Sequence, residues 1–274
     1  MAQGESQTDG TLTVERAIAN LRGDDLGLRV YAAWWLGRFR VNEPEAVTVL
    51  IEALSDEADR TEAGGYPLRR NAARALGKLG DRRAVSPLTE SLKCTDFYVR
   101  EAAAQSLEML GDPVCVPALV ALLQDEVPGT LPSPEQPDFI QPYDSLLEAL
   151  GTLQAADAIP LIKSFLEHPI ERVRYAAARA LYQLTPDPNE ASQYGDVLVQ
   201  ALSGRDLQLR RAALADLGAI GYLGAADAIA ETLAENSLKL IALKGLLEHA
   251  MQQSEGDTLP PEAVRVMQLM DALL

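Results

Sequence analysis

Apolar residues recur along this chain with helical period, in short stretches separated by glycine- and proline-containing breaks. In one stretch, Ala72, Ala75, Leu76 and Leu79 stand at i, i+3, i+4 and i+7, which places them on one face of a helix. Gly80 and the aspartate after it then end that helix, because glycine adopts the left-handed conformation at a helix C-terminus and aspartate caps the next helix. The pattern therefore predicts short amphipathic helices joined by tight turns.

The same helical segment recurs along the chain, with a basic residue near its start followed by alanines and leucines. Aligned on that position, the copies carry Arg29, Arg69, Arg100, Tyr143, Arg174, Arg210 and Lys239. The shortest steps between them are about 30 residues, enough for two short helices and two turns. We therefore predict an all-α, right-handed alpha-alpha superhelix, a HEAT-like repeat solenoid of about seven helix pairs. It spans 13–274, after a disordered leader at 1–12.

Three stretches interrupt the repeat and are predicted to be loop insertions. They lie near 56–67, 124–142 and 185–195, and each contains prolines or glycines. Long loops in a compact repeat array are more often functional than accidental. Within the regular units, Pro87 and Pro160 fit the first turn of the second helix, where a missing backbone N–H costs nothing.

The composition favours a helical protein that binds neither nucleic acid nor a membrane. Hydrophobic residues make up 47% of the chain and aromatic residues 5%, and small or unbranched apolar side chains favour closely packed helices. The formal net charge is -16 at pH 7, so the protein repels phosphate backbones and we expect no nucleic-acid partner. Apolar runs stay shorter than about 18 residues, so we expect no membrane insertion.

The cysteines and histidines do not form a metal-binding motif. Cys94 and Cys115 have no CxxC spacing, and His168 and His249 are far apart in sequence, so we expect no metal site. Two free thiols suit a reducing cytoplasm, where we expect the protein to reside. Both cysteines are predicted to be small core residues without a catalytic role.

Several stretches of the chain are more specific than the repeat itself. They are Tyr31–Arg40 (YAAWWLGRFR), Gly64–Asp81 (GGYPLRRNAARALGKLGD), Gln141–Ala155, Tyr175–Thr185 and Tyr194–Leu247. Together they resemble the E subunits of the cyanobacterial E/F-type phycobilin lyases. The resemblance covers most of 13–274 and is weakest at the N-terminus, in the proline-rich stretch 126–140 and at 248–262.

The resemblance implies a function, substrates and partners. Such a subunit works as a heterodimer with a homologous F-type subunit and attaches phycocyanobilin, through a thioether, to a cysteine of the apo-phycocyanin alpha subunit. Phycocyanobilin is then a substrate, and we expect no permanently bound cofactor. Two other readings stay open: a bilin chaperone or detachment factor of the same repeat family, and a protein scaffold without small-molecule activity.

A linear tetrapyrrole with two propionates calls for aromatic faces and arginines. Clusters of these residue types, with one asparagine, provide the candidate bilin- or partner-binding residues: Trp34, Trp35, Arg38, Arg40, Tyr66, Arg69, Arg70, Asn71, Arg100, Arg210 and Arg211. Trp34 and Trp35 point about 100° apart on a helix, so one of them is predicted to be core. For the two arginine pairs the alternative is surface salt bridges, with Asp206 and Asp216 as possible partners of the second pair.

Matched positions in successive repeats predict that a strip of aromatic and basic residues binds the pigment. The strip comprises Trp34, Arg38, Tyr66, Arg70, Tyr98, Arg100 and Tyr143. Catalytic residues are unknown, because the family has no simple catalytic signature to transfer. Candidates are residues that could hydrogen-bond or protonate the pyrrole rings, namely Tyr98, Glu101, Tyr143, Asp144 and Glu148.

Overall fold

The structure is a computed structural model that describes residues 12–124, 141–253 and 260–274. Within these residues the backbone forms α-helices, 3-10 turns and loops, and no β-strand. The predicted all-α class is therefore confirmed. The chain divides into two compact units, Met1–Cys115 and Val116–Leu274.

The first unit is built from helix pairs. Its helices are α1 (Val14–Leu21), α2 (Leu26–Arg38), α3 (Pro44–Ala53), α4 (Pro67–Leu79), α5 (Val85–Ser91) and α6 (Phe97–Leu110). Helices α2, α4 and α6 pack side by side as one layer, and α1, α3 and α5 pack against that layer. Each of α2, α4 and α6 is the first helix of a repeat and begins close to an aligned arginine.

The second unit repeats this organisation. Its helices are α7 (Val116–Gln124), α8 (Tyr143–Thr152), α9 (Ile159–Ser164), α10 (Glu171–Leu184), α11 (Pro188–Ala201), α12 (Leu207–Ile220), α13 (Ala226–Glu231), α14 (Asn236–Gln253) and α15 (Pro261–Leu273). Helix α10 packs between α8 and α12, and α12 packs against α14. The repeated helix pairs of both units confirm the predicted helical repeat architecture.

The ends of the helices follow the capping residues in the sequence. Asp25 and Asp96 accept a hydrogen bond from the backbone N–H of Leu28 and Tyr98 respectively, as N-caps do. Gly80 and Gly111 end α4 and α6 in the left-handed conformation, with φ of 74° and 66°. In the first repeat, Arg40 follows the end of α2 with a φ of 52° and so adopts a conformation that favours glycine.

Close helix packing within the first unit depends on small residues at matched positions. A Cβ atom on Gly37 would lie 2.7 Å from Cα of Ala75, and one on Gly77 would lie 2.8 Å from Cα of Ser106. The hydroxyl of Ser106 donates a hydrogen bond to the carbonyl of Ala73 at 2.8 Å. Helix axes can therefore approach closely, because backbone meets backbone without intervening side chains.

The same packing recurs in the second unit. A Cβ atom on Gly151 would lie 2.7 Å from Cα of Ala180, and one on Gly218 would lie 2.9 Å from Cα of Ala242. Each of these four glycines thus meets a small residue on the first helix of the next repeat. This rule explains why the repeated segments are rich in alanine and glycine.

The three predicted insertions differ in their structure. Residues 54–66, between α3 and α4, contain no helix. The loop predicted at 185–195 is wrong, because α11 begins at Pro188. Proline fits this first helical position and Asp187 caps the helix, so the proline begins a helix here instead of marking a loop. Most of the stretch at 124–142 and nearly all of the leader at 1–12 lie outside the described residues.

Candidate functional site

Aromatic and basic side chains occur together on the exposed face of α2, α4 and α6. Trp34 is 46% exposed and Tyr98 is 55% exposed. Helix α4 packs against both α2 and α6, so these side chains stand on neighbouring helices. We call this surface the basic–aromatic strip, and it consists of Trp34 and Arg38 of α2, Arg70, Arg74 and Lys78 of α4, and Tyr98 of α6.

Equivalent repeat positions place several of these residues on the same face. Counted from the aligned arginine of its repeat, Arg74 occupies the position of Trp34, and Lys78 that of Arg38. All four side chains are exposed. Positive charge is therefore concentrated on one face of a protein whose formal net charge is -16, which favours an anionic ligand at this face.

Arg70 and Tyr98 connect α4 and α6 within the strip. The guanidinium carbon of Arg70 lies 5.7 Å from the centroid of the Tyr98 ring, within cation–π range. The Nε atom of Arg70 is buried and has no hydrogen-bond partner among the described residues. A buried unpaired donor costs about 1–3 kcal/mol, so a hydrogen-bond acceptor supplied by a ligand would stabilise this arrangement.

The two adjacent tryptophans face different surroundings, as their spacing requires. Trp34 belongs to the strip, and its ring lies 5.5 Å from that of Tyr31. Trp35 is half-buried, and its ring lies 4.9 Å from the exposed ring of Phe39. Arg38 completes this group, with its guanidinium carbon 5.9 Å from the Phe39 centroid.

Tyr66 does not lie on the strip, contrary to the prediction from the repeat alignment, and neither does the binding candidate Arg69. Tyr66 is 6% exposed, and its hydroxyl donates a hydrogen bond to Glu57 at 2.9 Å. The guanidinium of Arg69 covers the Tyr66 ring at 4.0 Å and pairs with Glu57. Hydrogen bonding to Glu57, followed by burial, raises the pKa of the Tyr66 hydroxyl. Both residues fix the loop before α4, whose Asp59 accepts a hydrogen bond from the Leu68 N–H at 2.6 Å.

The aligned basic residues share a structural role. Each donates hydrogen bonds to main-chain carbonyl oxygens, either in the last turn of a neighbouring helix or in the loop that follows such a helix. The bonds run from Arg29 to Leu21, Arg69 to Asp56 and Ser55, Arg100 to Cys94 and Thr95, Arg174 to His168 and Pro169, Arg210 to Gly204 and Leu233, and Lys239 to Ala230. These contacts explain the recurrence of the basic position and leave Arg69, Arg100 and Arg210 off the strip.

Arg211, the second member of its pair, forms a salt bridge with Glu235. Arg211 therefore forms a salt bridge, which was the alternative interpretation for this arginine pair. The expected partners are wrong, however, because Asp206 caps α12 and Asp216 binds arginines of α10. Asn71, also a candidate, is half-buried on α4.

A second group of charged residues links α8, α10 and α12 in the second unit. Asp216 accepts hydrogen bonds from Arg172 at 2.6 Å and from Arg179 at 3.3 Å. Glu148 also pairs with Arg172, and with Arg179 at 3.0 Å. Asp144 lies 3.6 Å from Nε of Arg172. We call these five residues the charge cluster; in the described part of the chain it combines three carboxylates with two guanidinium groups.

Burial is the main cause of the raised proton affinity of Glu148, and the surplus carboxylate of the cluster adds to it. Burial raises the pKa of Glu148 to about 7, and the neighbouring Asp216 and Asp144 add to this effect, while Arg172 and Arg179 oppose it. The sequence prediction named Asp144 and Glu148 as catalytic candidates and Asp216 as a partner of the second arginine pair, but it missed Arg172 and Arg179. The spacing of Arg172 and Arg179 by seven residues, which places them on one face of α10, was the available signal.

The remaining candidates occupy ordinary structural positions. Tyr143, the first residue of α8, is 5% exposed and packs against the rings of Phe165 and His168. Glu101 forms a salt bridge with Arg74 at 3.3 Å. Cys115 is fully buried, and burial raises the pKa of its thiol to about 11.

Cys94 is half-buried, with its Sγ atom 3.9 Å from Arg69. Among the described residues, no group of three or more histidine, cysteine, aspartate or glutamate side chains is arranged so that it could hold a metal ion. The helices described here are also too short or too polar to span a membrane.

Family models for HEAT-type repeats match much of the chain. The model described as PBS lyase HEAT-like repeat matches residues 28–56 and 173–204. A model for HEAT repeats matches residues 64–131, and a further HEAT repeat model matches residues 158–187. These matches agree with the repeated helix pairs of both units.

The chain is similar over nearly its whole length to curated proteins. It is 69% identical over 269 residues to a phycocyanobilin lyase subunit alpha from Microchaete diplosiphon, which covers 98% of this chain and 92% of the relative. A protein of the same name from Nostoc sp. is 62% identical over 96% of this chain and 94% of its own length. The bilin biosynthesis protein PecE of Mastigocladus laminosus is 48% identical over 86% of this chain and 82% of its own length.

A solved structure is also similar in fold and sequence. It is the complex of CpcE and CpcF of phycocyanin lyase from Nostoc sp. PCC7120. The matched chain is 60% identical, with a TM-score of 0.87, and the match covers 100% of this chain and 99% of that one.

Proposed function

This chain belongs to the family of phycocyanobilin lyase alpha subunits, and from that premise we propose that it is one subunit of a heterodimeric bilin lyase. It acts with a homologous F-type subunit. The pair attaches phycocyanobilin through a thioether to a cysteine of the apo-phycocyanin alpha subunit, in the cytoplasm. The observation that carries the proposal is the identity of 69% over 98% of the chain to a relative of that name.

The basic–aromatic strip is the surface that we assign to the pigment. Phycocyanobilin is a flat conjugated tetrapyrrole that carries two propionates, so it requires ring faces and cations. Trp34 and Tyr98 supply exposed rings, while Arg38, Arg70 and Lys78 supply positive charge. Neighbouring helices lie about 8–10 Å apart, so three of them extend over the length of such a pigment.

In this proposal the residues of the strip bind and orient the pigment. The nucleophile belongs to the substrate protein, whose thiol adds across the exocyclic ethylidene double bond while its proton passes to the pigment. Of the candidate catalytic residues, Tyr98 lies on the strip itself and Glu101 is paired with Arg74 beside it. Asp144 and Glu148 belong to the charge cluster, where their carboxylates are engaged by arginines. We leave Tyr143 out, because its side chain is buried.

Reconstitution of the purified components tests this function against its alternatives. The chain is mixed with the F-type subunit, phycocyanobilin and apo-phycocyanin alpha subunit, and covalent pigment is measured on the denatured alpha subunit. We expect a thioether adduct that requires both lyase subunits. A change in the pigment spectrum without an adduct would support a chaperone instead, and no spectral change would support a scaffold.

Single substitutions test the assignment of the strip. Arg70→Ala should weaken pigment binding or transfer at least tenfold, because each desolvated arginine–carboxylate contact contributes about 1.5–3 kcal/mol. Trp34→Ala, which removes an exposed ring of the strip, should have an effect of the same size. Arg83→Ala is the matched control, since Arg83 is an exposed arginine of the first unit that pairs with the nearby Asp81. Helicity and pairing with the F-type subunit should not change. Unaltered affinity and transfer rate in both strip variants would place the pigment elsewhere.

A further inference from the structure

The charge cluster lies on the face of the first helices that, in the first unit, carries the basic–aromatic strip. Counted from the aligned position of its repeat, Asp144 occupies the position of Arg70, and Glu148 that of Trp34. The side chains of Arg172 and Asp144 are 25% and 29% exposed, so the cluster is open to solvent on this face. Corresponding positions are therefore basic and aromatic in the first unit but carry a surplus carboxylate in the second.

Asp144 is the carboxylate of the charge cluster with the most unused hydrogen-bonding capacity. Glu148 and Asp216 each bridge the two arginines of α10, and their side chains are 13% and 4% exposed. Among the described residues, Asp144 forms one ion pair, with Nε of Arg172 at 3.6 Å, which is longer than a hydrogen bond. An ionised carboxylate has about four acceptor sites. Asp144 can therefore accept hydrogen bonds from a ligand.

The net charge of the charge cluster depends on the proton of Glu148. The charged groups that face this carboxyl are Asp144 on α8, Arg172 and Arg179 on α10, and Asp216 on α12. Helix α7 also packs against α8, and it carries no charged residue. The cluster is therefore neutral when Glu148 is protonated and has one negative charge in excess when Glu148 is ionised. A cation bound beside Asp144 would balance that charge and favour loss of the proton.

The chemistry of this face favours a cationic side chain of a protein as the ligand. The described residues offer no set of three or more histidine, cysteine, aspartate or glutamate side chains that could hold a metal ion. None of the aromatic side chains of α8, α10 and α12 is exposed, so these helices lack the ring faces that a tetrapyrrole needs. An arginine or lysine side chain supplies both the positive charge and several N–H donors.

We propose that Asp144 binds an arginine or lysine side chain of the apo-phycocyanin alpha subunit, and that Glu148 releases its proton to solvent when this side chain binds. The proposal rests on the function proposed above, in which the alpha subunit is the protein substrate. The bound cation replaces the proton as the group that balances the third carboxylate. Such an exchange is readily reversed, which suits a substrate that leaves after pigment attachment better than a permanent subunit.

Proton release makes the affinity for the alpha subunit depend on pH. The pKa of Glu148 is about 7 in the unbound protein, and a bound cation lowers it. At pH 6 the unbound cluster is mostly neutral and attracts a cation less than it does at pH 8. We therefore expect the affinity to increase about threefold or more from pH 6 to pH 8. At pH 7, where Glu148 is half protonated, binding should release about half a proton.

Calorimetry without pigment tests the proposal. The alpha subunit is titrated into the heterodimer of this chain and the F-type subunit at pH 6, 7 and 8. Two buffers with different ionisation enthalpies give the Kd and the proton release together. At pH 7, Glu148→Gln should release about half a proton less than the wild type, because the variant cluster has no proton to lose. Asp144→Asn should weaken binding at pH 8 about threefold or more, because it removes the charged acceptor.

Glu190→Gln is the matched control. Glu190 is an exposed carboxylate of the second unit that pairs with Lys163, outside the charge cluster. This variant should match the wild type in Kd and proton release at every pH. Circular dichroism checks that all three variants are folded.

The outcomes distinguish this inference from the pigment function and from other ligands. No binding of the alpha subunit at pH 8, or the same Kd and proton release in the wild type, Glu148→Gln and Asp144→Asn, would overturn the proposal. It would also be overturned if the two substitutions weakened binding of the F-type subunit or of phycocyanobilin and left binding of the alpha subunit unchanged. Absence of a thioether adduct in the reconstitution would instead refute the proposed function, because the titration needs no pigment.

Discussion

Replacing Glu148 by glutamine should stabilise the protein above neutral pH, although the substitution removes two ion pairs. In the wild-type charge cluster, three carboxylates face two guanidinium groups within the described residues. The substitution leaves two carboxylates, Asp144 and Asp216, for Arg172 and Arg179. The variant cluster is therefore balanced in charge, whereas the wild-type cluster buries one carboxylate more than it has guanidinium groups. Burying that extra charge costs more free energy than the ion pairs of Glu148 return.

The magnitude follows from the pKa of Glu148. Burial raises it from 4.5 to about 7, and a tenfold change in an equilibrium constant corresponds to about 1.4 kcal/mol, so the deprotonated carboxylate costs up to about 3 kcal/mol. Because the pKa of Glu148 is higher in the folded state than in the unfolded state, protonation of Glu148 stabilises the folded protein. This contribution is complete below pH 4.5 and is lost as the pH rises through about 7. In the variant, an N–H donor of the glutamine amide faces an arginine, and this contact offsets part of the gain. We therefore expect a net increase in the free energy of unfolding of about 1–3 kcal/mol at pH 8.

Urea denaturation followed by circular dichroism at pH 5 and pH 8 measures this effect. Glu148→Gln should be more stable than the wild type at pH 8 and should lose that advantage at pH 5. Arg179→Met should destabilise by about 3–5 kcal/mol, because it increases the charge imbalance. Glu90→Gln, which removes an exposed salt bridge with Lys93, should change stability by less than about 1 kcal/mol. A Glu148→Gln variant that is less stable than the wild type at pH 8 would refute the charge-balance argument.

Three further predictions concern backbone conformation, packing and the thiols. Arg40→Gly should raise the free energy of unfolding by about 0.5–1 kcal/mol, because φ of Arg40 is 52° and glycine adopts this conformation without strain; no gain in urea denaturation would contradict this. Gly77→Ala should destabilise by about 1–3 kcal/mol, since the new Cβ would lie 2.8 Å from Cα of Ser106, and a neutral result would mean that the helices separate easily. Replacing Cys94 and Cys115 together by alanine should cost a few kcal/mol at most, about the effect of small cavities. Pigment transfer should persist in the folded fraction of this variant, and a folded, pigment-binding variant without transfer would indicate a thiol-bound intermediate.

The repeat and its helices were predictable because they depend on local chemistry. Apolar side chains at helical spacing, aspartates at N-caps and glycines at helix ends act within a few residues of themselves. Proline was ambiguous for the same reason. At Pro188 it begins a helix, although the prolines around it predict a loop. A proline that begins a helix and a proline in a loop give the same local signal. Here the N-cap supplied by Asp187 decides that a helix begins at Pro188.

The sequence by itself determined the helical class, the repeat and the residue types suited to a flat anionic ligand. Only the tertiary structure decided which aromatic and basic side chains reach the surface, because exposure depends on neighbouring repeats. Packing buries Tyr66 and Tyr143 but leaves Trp34 and Tyr98 exposed. Similarly, the aligned arginines are used by carbonyl groups, and the charge cluster forms from residues up to 72 positions apart, Asp144 and Asp216. Stacked helices bring such positions together through distances that no short segment of sequence encodes.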